Sequence, residues 1–118
     1  MKQKWTKEEI WSWYKAQPWI TGFNFIPSGA VDGGIWLLQE YDHERAFRES
    51  AKEIALAASL GFNSIRFFVP FYLWRVQHDS FMKNFEEFLS LLDLYHMTMM
   101  PVLFNDCCVA KSKYTEPV

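Results

Sequence analysis

The chain has 118 residues, 50% of them hydrophobic and 22% charged, which suits one packed domain and excludes both a disordered segment and two independent cores. Twelve basic against fourteen acidic side chains give a net charge of -2 with no basic stripe, so nucleic acid is not an expected partner. No run approaches the ~18 apolar residues of a membrane span, and the start lacks an apolar leader, so a cytoplasmic protein without membrane attachment is expected.

Thr6 followed three residues later by Glu9 reads as a capping box, with Trp5 and Ile10 as its hydrophobic staple, and predicts a helix from about Lys7 to Ala16. Pro18 ends it, and the aromatic and β-branched run Trp19 to Ile26 predicts the first strand, with Gly22 where something approaches closely. Pro27 to Gly34 is loop chemistry. Ile35 to Tyr41, carrying Trp36, extends it into a long structured loop. Asp42 reads as an N-cap, and Phe47, Ala51, Ile54, Ala55 and Ala58 form the apolar face of a second helix that Gly61 closes.

Phe62 to Val69 has the near-continuous apolar character of a strand buried on both faces. Pro70 to His78 reads as a second aromatic loop, with Tyr72 and Trp74. Asp79 then caps a helix whose stripe is Phe81, Phe85, Phe88, Leu89, Leu92 and Tyr95, closed by His96. Thr98 to Phe104 is the third strand, in which Pro101 predicts a later start or a bulge. Strands alternating with amphipathic helices imply an α/β fold with a parallel sheet and right-handed crossovers.

In such folds chemistry gathers at the carboxyl ends of the strands. The first strand brings Asn24 and Ser28, the second Arg66 with Tyr72 and Trp74 beyond it, and the third Asn105 and Asp106. Polar groups beside tryptophan-rich loops suit an oligo- or polysaccharide, which offers hydroxyls and apolar C–H faces. Arg66, between Ile65 and Phe67, is expected to be buried and so to meet a carboxylate. It is either a structural ion pair, with Asp106 or a helix-face acid, or the orienting partner of a catalytic carboxylate. Asp106 is an acid or base, a ligand-binding group or a loop cap.

Trp36 and Trp74 read either as stacking platforms or as lids on the core, and Trp11, Trp13 and Tyr14 as packing of the first helix against the body. His43, His78 and His96 form no metal spacing with the adjacent Cys107 and Cys108, so solvated or capping histidines and inert thiols are expected, with no metal. The glycines of GAVDGG do not open a helix after a strand, and no cofactor is implied.

The segments WYKAQPWITGFNFIPSGAV, a Trp followed by Gln-Glu-Tyr-Asp, LGFNSIRFFVPFYLW and MMPVLFNDCC resemble the N-terminal part of bacterial (β/α)8-barrel glycoside hydrolases of the large retaining clan, cellulase-like and 1,4-β-xylanase-like. The resemblance runs from about Trp11 to Cys108. It implies a partial TIM barrel: an N-terminal helix and the first three parallel strands with two intervening helices. Arg66 matches the strand-two arginine that contacts the nucleophilic glutamate, and Asn24, Trp36, Trp74, Asn105 and Asp106 face the sugar cleft by position.

The clan's acid/base glutamate ends strand four and its nucleophile strand seven, whereas this chain stops after strand three. A full barrel needs ~250 residues. A fragment without hydrolase activity is therefore expected, its unpaired strand edges open to self-association or to a complementing C-terminal chain. Two other readings stand beside it: a non-catalytic carbohydrate-binding or interaction module, and an unrelated small α/β enzyme using Asp106 with a cysteine.

Overall fold

A computed structural model describes residues 3–29 and 37–103. In chain order the elements are α1 (Lys7–Ala16), β1 (Gly22–Asn24), α2 (His43–Ser59), β2 (Ser64–Val69), α3 (Phe71–Val76), α4 (His78–Leu94) and β3 (Thr98–Leu103). The strands form one parallel sheet in the order β1-β2-β3. The α/β class is as expected, and each of the three predicted runs contains a strand. Trp36 and the Asn105, Asp106, Cys107 and Cys108 group lie outside the described residues.

The capping box of α1 is present: the Glu9 N–H donates to Thr6 Oγ1 at 3.2 Å, and the Thr6 N–H to Glu9 Oε2 at 2.6 Å. Trp5, expected to staple Ile10, meets Trp13 edge-on, and Trp5 and Ile10 both stay about half exposed. Trp11, Trp13 and Tyr14 were expected to pack on the body; instead no residue of α1 is buried. Asp42 also departs from expectation. It adopts a left-handed φ of 56° with no side-chain cap bond, and its carboxylate instead receives Arg45 Nε at 2.6 Å, which pushes the Arg45 pKa up.

Two helices end alike. Gly61, at φ +94°, donates its N–H to the Ala58 carbonyl while Phe62 N–H reaches Ala57, a Schellman closure of α2. His96 takes the same role after α4 at φ 54°, with His96 N–H on Asp93 and Met97 N–H on Leu92. A side chain in this conformation costs ~1–2 kcal/mol that glycine avoids. The variant His96→Gly is therefore expected to gain about 1 kcal/mol, read as a higher urea midpoint at unchanged slope; a lower midpoint counts against the assignment.

The core lies on one side of the sheet. Phe25, Ile65, Phe67 and Val69 pack with Ile54 and Ala57 of α2 and with Phe81, Phe88, Leu91 and Leu92 of α4 in a single cluster. Both crossover helices thus cover the same face. The buried face of α2 is Ala46, Ser50, Ile54 and Ala57, turned slightly from the predicted stripe, and in α4 Leu89 is exposed where Asn84 and Leu91 are buried.

β2 is not buried on both faces: Ile65, Phe67 and Val69 point to the core, while Arg66 is exposed and Phe68 half-buried. β1 is shorter than its apolar run, because only Gly22, Phe23 and Asn24 pair with β2, and Trp19 is left 90% exposed. Pro70 to His78 is not a loop. Phe71–Val76 contains no helix breaker, and the Pro70 carbonyl accepts the Trp74 N–H at 3.3 Å.

Pro101 sits within β3 without a bulge, opposite Phe67 in continuous register. Thr98 N–H donates to Asn63 O across the β2 side. Backbone direction alternates along a strand, so the Pro101 nitrogen faces away from β2, the side on which no described strand pairs and a donor is not needed.

Candidate functional site

With helices on one face, the alternate side chains of all three strands line the other. Register sets Gly22, Ser64 and Thr98 side by side at the amino end, then Asn24, Arg66 and Met100, then Phe68 and Val102 toward the carboxyl end. This face brings together two of the residues expected at the strand ends, Asn24 and Arg66.

Its amino end is tightly packed and polar. A Cβ on Gly22 would stand 2.9 Å from the Ser64 carbonyl oxygen, so β1 and β2 approach more closely there than a side chain permits. The Thr98 hydroxyl bonds that of Ser64 at 3.0 Å. Just below, Asn63 staples the chain entering β1: its Oδ1 accepts the Thr21 N–H at 2.8 Å and its Nδ2 donates to Trp19 O at 2.9 Å.

Arg66 stands at the centre. Its expected burial does not occur: the side chain is exposed, on the face that neither crossover helix covers. Its guanidinium carbon lies 4.7 Å from the centroid of the Phe68 ring, and one terminal nitrogen reaches Asn24 Oδ1 at 3.4 Å, a long contact. No carboxylate pairs with Arg66 among the described residues. The ring beneath and the amide beside it restrain the guanidinium fork, whose other N–H groups remain suited to an oxygen-bearing ligand.

Asn24 and Arg66 are therefore brought together as neighbours. Trp74 lies on α3, not on a loop, stacked on Phe71 at 5.6 Å and edge-on to His78 at 5.3 Å, while Tyr72 is buried. Ser64, Phe68 and Thr98 were missed as neighbours of Arg66, although two-residue alternation from Arg66 points to the first two.

Elsewhere a carboxylate, two amides and a histidine hold the connecting segments. Glu53 accepts the Ser28 N–H at 3.1 Å, and Gln77 Oε1 accepts the Glu40 N–H at 2.9 Å. His43, expected to be solvated or capping, is largely buried, with Nδ1 2.8 Å from Leu37 O and Nε2 2.9 Å from Glu87 Oε2. Asn84, buried on α4, donates through Nδ2 to both Leu38 O at 3.1 Å and Gln39 O at 3.0 Å.

Among the described residues no three His, Cys, Asp or Glu side chains are grouped to hold a metal ion, and no helix is long and apolar enough to cross a membrane. Neither a protein-family model, nor a curated protein, nor a solved structure matches this chain.

Proposed function

We propose that this chain supplies the opening βα units of a (β/α)8-barrel glycoside hydrolase of the large retaining clan, cellulase-like or 1,4-β-xylanase-like, and contributes part of its sugar cleft without its catalytic acids. The observation that carries the reading is the direction of winding. The strands follow one another as neighbours and both crossover helices cover one face, as in the opening units of a barrel; a doubly wound sheet winds alike within each half and differs by reversing beyond it. Continued winding of the present kind closes into a barrel with the bare face inward.

That face offers the Asn24 amide and the Arg66 guanidinium beside the Phe68 ring, with the Ser64 and Thr98 hydroxyls farther off at its amino end, a mixture that suits a polyhydroxylated ligand. None of its described side chains is a carboxylate, and retaining hydrolysis needs two such groups ~5 Å apart. The polypeptide alone is therefore expected to bind oligosaccharide weakly and to cleave none.

Titrating isotope-labelled protein with xylo- and cello-oligosaccharides should shift the Asn24 side-chain amide and the Arg66 Nε–H resonances, and no reducing ends should appear. Unmoved Asn24 and Arg66 signals at saturating sugar would remove the cleft assignment, and cleavage at an enzymatic rate would remove the missing-acid argument. A non-catalytic carbohydrate-binding or interaction module is the second reading. It is favoured by the exposed Met100 and Leu103 on the β3 edge, where another chain could add a strand.

A further inference from the structure

The first helix carries an apolar surface that no other described residue buries. At about 100° per residue, Ile10, Trp11, Trp13 and Tyr14 fall within an arc of about 160°. All four are about half exposed, and Trp5 extends the stripe by resting on Trp13. Tyr14 also shares a shallow hollow with Trp19 and Ile20, so the surface continues past the end of the helix. A large aromatic residue can bury ~150–250 Å². The exposed fractions of these seven side chains therefore approach the ~800 Å² that each partner contributes to a stable dimer.

The charges on α1 point to a particular occupant. Glu8 and Lys15 are seven residues apart, so they lie on the same flank of the apolar stripe, one at each end of the helix. Neither is engaged in an ion pair within the chain among the described residues. Glu9, by contrast, is held in the capping box. A two-fold axis through the middle of the stripe would run two such helices antiparallel. It would set each Glu8 opposite the other copy's Lys15 while Trp and Tyr side chains interleave between them. Opposite charges spaced symmetrically about the midpoint are what a self-complementary interface requires. Within α1, Lys7 and Lys15 are balanced by Glu8 and Glu9, so the basic polar face of a helix that lies on anionic lipid is missing.

We propose that α1 is a self-association helix, through which two copies of this chain pair antiparallel with reciprocal Glu8–Lys15 contacts. The proposal is independent of the sugar-cleft reading, because the surface lies on a different element from Asn24 and Arg66.

Sedimentation equilibrium of the 118-residue chain at low salt tests it, with circular dichroism to check that each variant keeps its helix content. A concentration-dependent dimer is expected. Glu8→Lys and Lys15→Glu should each weaken it about tenfold by placing like charges together, and the double exchange should recover most of that loss. A chain monomeric at every concentration, or recruited as a monomer by phosphatidylserine vesicles, overturns the proposal. So does a dimer indifferent to the single exchanges, as pairing through the β3 edge would be, or one that the double exchange fails to restore.

Discussion

Truncating Phe88 to alanine is expected to lower the unfolding free energy by about 3–5 kcal/mol, the largest loss of any single substitution considered. The ring is fully buried, 5.0 Å from Phe67 and 5.8 Å from Phe25 between centroids, so it joins α4 to β2 and to the residue that follows β1. Its removal leaves a cavity walled by strands that cannot collapse into it without breaking the parallel ladder. A domain of this size has about 5–15 kcal/mol in total. Among the described residues its sheet is packed by helices on one face alone, so little else offsets the loss. Equilibrium denaturation in urea measures this directly. A shift below about 1 kcal/mol would show that the ring does not join these elements.

Replacing Asn84 with leucine is expected to cost about 2–4 kcal/mol, since it leaves the Leu38 and Gln39 carbonyls without their shared donor. The amide is 5% exposed, so water cannot readily replace it. Aspartate at the same position presents oxygen to both carbonyls and should do no better, although it matches asparagine in size. Hydrogen exchange should accelerate at Leu37 to Glu40 in both variants. Normal stability of the aspartate form would show that the carbonyls do not depend on the Asn84 N–H groups.

The sequence was most readable where a local rule decides the outcome. Thr6 and Glu9 define a helix start through two short-range bonds, and Gly61 a helix end through its positive φ, so neither depends on distant residues. The same reasoning failed at Asp42, whose carboxylate turns to Arg45 and leaves the cap unmade. Strand length was overestimated in β1, because side-chain propensity extends through Trp19 and Ile20 whereas pairing depends on where β2 lies.

For Arg66 the difficulty was one of layers. Ile65 and Phe67 beside it suggest burial, yet the alternation of Ser64, Arg66 and Phe68 with Ile65, Phe67 and Val69 is that of a strand covered on one face. Whether a second layer covers a sheet depends on the winding of the whole chain, which no eight-residue window contains. The pairing of Asn24 with Arg66 was likewise out of reach, since it needs the register of two strands 42 residues apart.

The orientation of Pro101 affects any strand that joins this sheet beyond β3. A newcomer would find amide hydrogens offered by Met99 and Leu103 but a gap in the rung between them, so its own carbonyl there must turn to water or arch away. Endless stacking of identical chains, which relies on every rung, is disfavoured at that point, while a single companion strand shaped to skip it can still be seated.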